Sequence, residues 1–296
     1  MITVLGSTNL DLIGTVSRLP GPGETVPGGQ FSTAAGGKGA NQALAARRAG
    51  AQVRLFCAAG TDSFAADALR LLRADGVDLG GLKTFPGPTG IAMILVDGQG
   101  ENVIAILPGA NAAMGEAEAE AALSGMVGGD VLLLQQEIPQ AATARGLALA
   151  RAQGVTSILN TAPFLASTPE LAKTASIVIA NETEFALLAD GSQDALEARM
   201  AAWAKAHGQT VIVTLGPDGA RAATPTHSIS VPAYPVDPVD TVGAGDTFCG
   251  YFAAGLDAGL DLEPAMRRAA VAASLACLTP GAQPAIPHAG QVDAAL

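Results

Sequence analysis

Residues 240–248 read Asp-Thr-Val-Gly-Ala-Gly-Asp-Thr-Phe, and the rest of the chain can be interpreted around this run. Gly243 and Gly245 flank one small residue, so the backbone can turn tightly and present bare N–H groups to an anion. Apolar residues at helical spacing follow from Phe248, which places Asp246 at the start of a predicted helix, where the helix dipole also favours negative charge. A glycine-rich turn with Asp246 as an ordinary helix cap would give the same pattern.

Composition limits the classes of function. The chain has 296 residues, is 49% hydrophobic and has a formal net charge of −11. We expect neither nucleic acid nor a membrane as a partner, because the negative field repels both. Apolar runs stop short of the roughly 18 residues that span a bilayer, and the amino terminus lacks a signal-peptide pattern, so we expect a cytoplasmic protein. An anionic substrate such as ATP would need local positive groups and a divalent cation.

The order of predicted elements indicates an α/β fold. Short β-rich runs alternate with Ala-rich helical stretches, which is typical of a parallel sheet covered by helices. One helix is predicted to begin within residues 34–42 and to run to about Ala49. The predicted strands of the parallel sheet are 2–5, 131–134, 156–159, 177–180 and 211–214. The other predicted helices are 63–74, 115–126, 140–153 and 194–207.

Two segments interrupt this alternation. Residues 11–31 are rich in Gly and Pro, and residues 89–107 contain two β-prone runs around a hairpin turn at 97–100. We predict that the two segments pair into a small sheet that lies over the site as a lid and excludes water. The predicted core then comprises residues 1–10, 32–88 and 108–296.

Polar residues follow two predicted strands. Asn9 and Asp11 are two residues apart, so they face the same side if the chain is extended, and an amide beside a carboxylate suits a vicinal diol. Glu137 follows the strand 131–134, at the end of a strand where open α/β sheets bind ligands. A polar turn and a solvated loop residue, respectively, are the alternatives.

The glycine-rich run at residues 36–42 brings backbone close to a ligand or simply begins a helix. It is not a P-loop, because Gly39 follows Lys38 where Ser or Thr should hold magnesium. It is not a dinucleotide fingerprint either, because Gln42 stands where the third Gly should be, which disfavours a nicotinamide-linked oxidoreductase. Asn181 and Glu184 have the spacing of a capping box, and a helix start of that kind also suits phosphate and hydrated metal.

In chain order, these motifs resemble those of the ribokinase-like sugar kinases (the phosphofructokinase B family). Residues 240–248 resemble the family's carboxy-terminal signature and residues 36–42 its amino-terminal sugar-binding signature. The resemblance spans Gly6 to Pro287 and is strongest to the ribokinases. It implies a ribokinase-like three-layer α/β sandwich with a mostly parallel central sheet and a small β-sheet lid, and transfer of the ATP γ-phosphate to the 5-hydroxyl of D-ribose.

The resemblance also implies roles for individual residues. Asp246 would be the catalytic base, and Gly243, Ala244 and Gly245 the anion hole. The residues that would hold the sugar, together with Asp246, are Asn9, Asp11, Gly37, Lys38, Asn41 and Glu137. The residues that would contact ATP and its magnesium ion are Asn181, Glu184, Thr214, Gly216, Asp218, Gly219 and Gly245.

Family members also bind a monovalent cation, and many pair through the lid, so the resemblance implies potassium and a homodimer. The matching cation positions are Asp240, Val242, Ala276, Thr279, Gly281 and Ala285. Ala285 departs from the pattern, which often has Ser, and an alanine supplies no hydroxyl ligand.

Two kinds of alternative remain. The acceptor could be another sugar, deoxyribose or a nucleoside, because relatives share the anion hole and differ in the lid. A non-enzymatic sugar sensor on the same fold would be expected to lack Asp246 or the Gly-Ala-Gly turn, and both are present.

Overall fold

The computed structural model describes residues 1–189 and 195–296. Within these residues the chain forms one nine-stranded sheet and a separate four-stranded sheet. The strands are β1 (Ile2–Leu5), β2 (Asn9–Val16), β3 (Gly28–Gly36), β4 (Val53–Ala59), β5 (Asp78–Thr84), β6 (Gly90–Val96), β7 (Asn102–Leu107), β8 (Val131–Leu134), β9 (Thr156–Asn160), β10 (Ile177–Asn181), β11 (Thr210–Thr214), β12 (Ala220–Ala223) and β13 (Ser228–Val231).

Helices cover both faces of the larger sheet. Short 3-10 turns add Gly109–Ala113 and Gly216–Asp218. The α-helices are α1 (Lys38–Arg48), α2 (Phe64–Ala68), α3 (Arg70–Ala74), α4 (Glu116–Leu123), α5 (Gln140–Gln153), α6 (Thr168–Ala172), α7 (Glu182–Leu188), α8 (Leu196–His207), α9 (Ala244–Asp257), α10 (Leu262–Ala276), α11 (Ala282–Ala285) and α12 (Ala289–Asp293).

The larger sheet has the order β13-β12-β11-β10-β9-β8-β1-β4-β5. The strands from β11 to β5 are parallel, and β12 and β13 add an antiparallel edge. From β1 the chain builds outward first on the β4 side and then on the β8 side. The loops after β1 and β8 therefore leave in opposite directions and open a crevice, which is where such sheets bind ligands.

Two apolar cores, one on each face of this sheet, make the domain three-layered. One core contains Leu44 of α1, Phe252 of α9 and Met266 of α10, and the other contains Leu147 of α5 and Phe185 of α7. Burying a side chain of this size contributes about 1.5–3 kcal/mol to stability. The predicted fold class, a three-layer sandwich with a mostly parallel sheet, is confirmed.

Helices α1 and α9 touch at a glycine. A Cβ on Gly250 would lie 2.5 Å from both the Ala45 Cβ and the main-chain oxygen of Gln42. Real Cβ atoms do not approach other atoms so closely, so only glycine lets the two helices pack at this distance.

The smaller sheet has the order β3-β2-β6-β7. Asn9, the first residue of β2, pairs with Gly36 at the end of β3 and with Gly90 at the start of β6. The sheet therefore emerges directly from the crevice loops. Its edge strand β7 is exposed at all six residues. The division of the chain into a core and a lid remains a prediction.

Several element boundaries differ from the predictions. Residues 34–36 end β3 instead of opening a helix, because Gly37 has a φ of +88° and α1 begins after it. The predicted helix 63–74 is two short helices, because the backbone dihedral angles depart from helical values at Leu69, where ψ is −1°. The helix predicted at 115–126 ends at Leu123, because Ser124 is extended. Asp194, the first residue of another predicted helix, lies outside the described residues, and α8 is described from Leu196.

The strands β4, β5, β12 and β13 were not predicted. In β5, Gly80 and Gly81 weaken the strand signal, and in β12 three alanines do so. The strands β4 and β13 were missed although both contain β-branched residues. Among the described helices, none combines the length and apolar character needed to cross a membrane.

Candidate active site

The amino terminus of α9 forms an open backbone cradle. Gly243 precedes the helix with a φ of +79°, and a Cβ there would lie 2.8 Å from the Cβ of Ala282, so both conformation and space require glycine. In the described part of the chain, the backbone amides of Gly243, Gly245 and Asp246 have no hydrogen-bond acceptor. A Cβ on Gly245 would meet nothing within 4 Å. Free amides facing open space at a helix start are suited to an anion.

Two cavities meet at this cradle, because Gly245 and Thr214 line both of them. The larger cavity, of about 440 Å³, is mainly apolar and extends between α10 and the segment 233–238. The smaller, of about 140 Å³, is polar. Its charged and amide side chains are Lys38, Asn160, Asn181, Glu184 and Asp246.

Asp246 is 6% exposed, and both of its carboxylate oxygens are held by amides from α1. Asn41 Nδ2 donates to Oδ2 and Gln42 Nε2 donates to Oδ1, each over 2.9 Å. Amide donors stabilise the ionised carboxylate and fix its orientation. Asp246 therefore connects the amide cradle of α9 to α1.

The carboxylates of Asp11, Glu137 and Glu184 and the ammonium group of Lys38 interact electrostatically near Asp246. Burial, and then repulsion from Glu137 and Asp246, raises the pKa of Asp11 to about 7, while Lys38 opposes the shift. The negative charge of Asp246 raises the pKa of Lys38 against the cost of burial, with further contributions from Glu137 and Glu184. A ligand whose hydroxyl groups donate to Asp11 would favour its ionised form.

Glu137 lies in the crevice between β1 and β8. Its Oε2 accepts hydrogen bonds from Ser7 Oγ over 2.5 Å and from the Lys38 amide over 3.0 Å. Glu137 thereby caps α1, and its other oxygen makes no side-chain bond in the described part of the chain. The solvated-loop alternative for Glu137 does not fit this geometry.

Asn111 holds Asn9 in place. Its Nδ2 donates to Asn9 Oδ1 over 2.8 Å, while its Oδ1 accepts from the Thr8 amide over 3.0 Å. Asn9 therefore has its NH₂ group free for a ligand, since its oxygen is already occupied. A Cβ on Gly37 would lie 2.7 Å from the Asn9 amide, so the glycine-rich run packs directly against this loop.

The capping box at α7 is present. Glu184 N donates to Asn181 Oδ1 over 2.8 Å, and Asn181 N donates to Glu184 Oε2 over 3.1 Å. Glu184 Oε2 also accepts from Thr161 Oγ1 over 2.8 Å. Because both residues also line the small cavity, the structural and the ligand-binding interpretations are compatible.

Three of the other four residues predicted to contact the nucleotide line the large cavity, and one does not. Thr214, Gly216 and Gly219 line the large cavity with Gly245, whereas Asp218 lines neither of these two cavities. Asp218 lies in the exposed 3-10 turn that shapes the rim.

Ala276 ends α10, Ala285 ends α11 and Thr279 lies in the turn between these helices. Two of the other predicted cation positions, Val242 and Gly281, are hydrogen-bonded to Asp240. Its Oδ1 accepts from the Val242 amide over 3.0 Å and its Oδ2 from the Gly281 amide over 2.7 Å, while its own amide donates to the Cys277 carbonyl. These bonds join the loop before α9 to the turn after α10. Across residues 1–189 and 195–296, no group of three or more His, Cys, Asp or Glu side chains could enclose a metal ion.

Comparison with known proteins identifies the family. The profile described as pfkB family carbohydrate kinase matches residues 1–289. The chain belongs to this family. It is 35% identical over 292 residues to the ribokinase of Bacillus subtilis, covering 99% of this chain and 98% of that protein. It is 31% identical to the deoxyribokinase of Salmonella typhi, covering 99% of this chain and 97% of that protein.

Solved structures of similar kinases have the same fold. The ribokinase of Arabidopsis thaliana, solved as a complex with ribose and ATP, superimposes with a TM-score of 0.87 at 32% identity. The match covers 99% of this chain and 97% of that one. The resemblance of the motifs to the ribokinase-like kinases is thus confirmed over nearly the whole length.

Sequence reasoning missed four polar residues of this pfkB kinase that support the site: Ser7, Gln42, Asn111 and Gln135. The sequence contains one usable signal for Gln42, because Asn41 and Gln42 directly precede the apolar run 43–46, and Gln42 is 0% exposed in the structure. Buried amides are expected to have partners. The partners themselves come from distant parts of the chain, so the sequence does not identify them.

Asp11→Asn is expected to stabilise the ligand-free protein at high pH. A folded-state pKa above the unfolded value contributes stability at low pH that is lost as the pH rises through about 7. The amide removes this cost, so its gain in melting temperature over the wild type should be larger at about pH 8 than at about pH 5, where only part of the cost is present. Differential scanning fluorimetry at both pH values tests this, and an equal shift at both would contradict it.

Proposed function

We propose that the protein is an ATP-dependent kinase that phosphorylates D-ribose at O5. The main support is one continuous site, in which Asp246 adjoins the sugar-side residues through Asn41 and the amide cradle through Gly245. The ribokinase relatives that match nearly the full length support the same assignment. Asn9, Asp11 and Glu137 suit a small polyol, since each presents a free donor or acceptor.

In the proposed reaction, Asp246 accepts the proton of the sugar 5-hydroxyl. A new bond forms between that oxygen and the γ-phosphorus, the bond from the γ-phosphorus to the β–γ bridging oxygen breaks, and ADP leaves. A carboxylate is a weak base, which suffices because the hydroxyl loses its proton late in a loose transition state. The amides at Gly243 to Gly245 stabilise the charge of the phosphoryl group in transfer.

The nucleotide has a matching place. The apolar cavity of about 440 Å³ would accept the adenosine moiety, and the phosphates would extend past Thr214 to the cradle. Asn181 and Glu184, at the start of α7, present oxygens to the small cavity and would hold hydrated magnesium. When bound, that ion offsets the charge of the phosphates.

A coupled assay for ADP release over ribose, deoxyribose, other sugars and nucleosides tests the assignment. We expect the highest kcat/KM with ribose. The alternatives are another sugar, a nucleoside, or deoxyribose, the last because a deoxyribokinase is among the similar proteins. Greater turnover of any of these would replace ribose as the proposed acceptor, and absence of turnover across the panel would contradict a sugar kinase.

Potassium is expected to activate the enzyme. The loops joined by Asp240 would supply mainly backbone carbonyls to a monovalent cation beside the cradle, where its charge would favour bound phosphate. Turnover in potassium should exceed turnover in tetramethylammonium by roughly threefold or more. Ala285→Ser adds a hydroxyl and should lower the potassium concentration needed for half activation. Equal rates in the two salts would reject a cation site.

The smaller sheet is proposed as a lid and as a dimer interface. The exposed β7 presents Val103, Ile104, Ile106 and Leu107, each at least 42% exposed. Open apolar edge strands favour pairing with another chain. Light scattering coupled to size exclusion should report a dimer, and Ile104→Lys should shift it to the monomer. We also propose a cytoplasmic location.

A further inference from the structure

The buried amide of Gln42 is bonded to Asp246 but has no role in the reaction as described. Its Nε2 donates to Asp246 Oδ1 over 2.9 Å and to Asn160 Oδ1 over 3.1 Å. Its Oε1 accepts from Gln135 Nε2 over 2.6 Å. An amide has two N–H donors and one carbonyl, so every kind of polar group on Gln42 is in use.

The main chain of β10 sets the direction of this chain of amides. Asn160 Nδ2 donates to the Ile179 carbonyl over 3.2 Å. A carbonyl only accepts, so Asn160 must turn its oxygen toward Gln42. Gln42 must then turn its NH₂ group toward Asn160 and, with the second N–H, toward Asp246. The reversed amide would place oxygen against a carboxylate, which is repulsive.

Close packing keeps the chain of amides in this arrangement. A Cβ on Gly6 would lie 2.1 Å from Gln135 Oε1, so the Gln135 amide rests directly on the backbone after β1. Gln42, Gln135 and Asp246 are 0%, 1% and 6% exposed, so bulk water does not compete for their hydrogen bonds. Gln135 Oε1 is buried without a hydrogen-bond partner among the described residues, so the rigidity of the network centres on Gln42, whose amide nitrogen and oxygen are both bonded.

Asn41 differs from Gln42 in that one of its polar atoms has no hydrogen-bond partner. Both donate to Asp246, but Asn41 Oδ1 is buried without a hydrogen-bond partner among the described residues. That oxygen is available to a sugar hydroxyl, whereas Gln42 has no group left for a substrate. Asn41 can therefore contact both Asp246 and the sugar, whereas the hydrogen bonds of Gln42 are made to protein groups only.

We propose that Gln42, oriented by Asn160 and supported by Gln135, is a positioning residue that fixes the plane of the Asp246 carboxylate toward the sugar hydroxyl. The proposal rests on the proposed function, in which Asp246 accepts that proton. With one oxygen fixed by Gln42, the carboxylate keeps its orientation when Asn41 also bonds to the sugar. Misplacement of a reacting group by about 1 Å can cost 10²-fold in rate.

The test compares the same substitution, Gln to Met, at two buried glutamines. Gln42→Met keeps the volume and removes the amide. Gln209→Met is the matched control, because Gln209 is 5% exposed and bonded to the Trp203 ring and the Ala172 and Ala175 carbonyls, away from the site. We expect Gln42→Met to lower kcat roughly 10-fold or more, with ribose KM within about twofold, and Gln209→Met to lower only the melting temperature.

A role limited to folding would instead lower the melting temperature with both substitutions and leave kcat of the remaining folded enzyme unchanged, which would overturn the proposal. A rise in ribose KM as large as the loss in kcat would also overturn it. If Gln42→Met does not fold, Gln135→Met removes the support of Gln42 without changing any group that touches Asp246. It should lower kcat by about threefold or more.

Gln42→Glu provides a readout that packing cannot imitate. At high pH the introduced carboxylate repels Asp246, and at lower pH the introduced carboxyl group is protonated and can donate again. The ratio of its kcat to the wild-type kcat should rise severalfold from about pH 8 to about pH 6. A constant ratio would argue against the proposal.

Failure of the positioning role can be distinguished from failure of the proposed function. If the wild type phosphorylates no member of the sugar panel, the proposed function is wrong. If the wild type is active, Asp246→Asn is inactive and Gln42→Met is normal, only the positioning role is wrong.

Discussion

Asp246→Asn is expected to lower kcat by roughly 10² or more while ribose still binds. The substituted amide cannot accept the proton of the sugar hydroxyl. It also places an NH₂ group against Asn41 or Gln42, both of which donate to this carboxylate, so we expect a loss of stability of about 1–3 kcal/mol as well.

Single-turnover kinetics and isothermal titration with ribose separate the two effects. The substitution is at a buried residue, so circular dichroism must first show that the variant is folded at the assay temperature. A folded variant with near-normal turnover would remove Asp246 from the mechanism. Loss of both binding and turnover would indicate that the carboxylate mainly maintains the shape of the sugar site.

Gly245→Ala is expected to abolish most phosphoryl transfer without destabilising the protein. A Cβ at this position meets no protein atom within 4 Å and projects into the open cradle. It would occupy space that the phosphates need and keep them from the free amides. Removing one donor of an oxyanion hole costs about 10²–10³ in rate, and we expect a loss in kcat/KM for ATP of roughly 10².

Gly290→Ala is the matched control for this experiment. Gly245 and Gly290 are both the second residue of their helices, and neither has a protein atom within 4 Å of its Cβ position. Replacing glycine by alanine in a helix gains about 0.5–1 kcal/mol, so both variants should melt at or slightly above the wild-type temperature. Only Gly245→Ala should lose activity. Equal activity of the two variants would exclude the cradle from phosphate binding.

The sequence predicts β1, β8, β9, β10 and β11 of the central sheet because each of these strands is a local signal. Runs such as 131–134 and 177–180 are continuous apolar segments, which parallel strands buried on both faces require. Strands without that signal were missed, including the glycine-containing β5. Helix ends were misplaced where one backbone angle decides the boundary, as at Gly37 and Ser124.

The site is less accessible to sequence reasoning, because its contacts are long-range. Gln42 and Asp246 are separated by 204 residues, and Asn9 and Asn111 by 102. No local periodicity reports such pairs. The resemblance to a family indicated which residues to examine, whereas the network of amides behind Asp246 became visible only when α1 and α9 were seen in contact.

The glycine contact between α1 and α9 restricts how the enzyme can move during a catalytic cycle. With Gly250 seated against Ala45, the helix bearing Asn41 and Gln42 and the helix bearing Asp246 form one stiff unit. As the proposed lid, the smaller sheet would open and close at the strand starts Asn9 and Gly90, where it leaves the crevice. In the proposed reaction, the proton acceptor and the α1 residues that contact the sugar would stay fixed relative to each other, so product release would depend on movement of the smaller sheet alone.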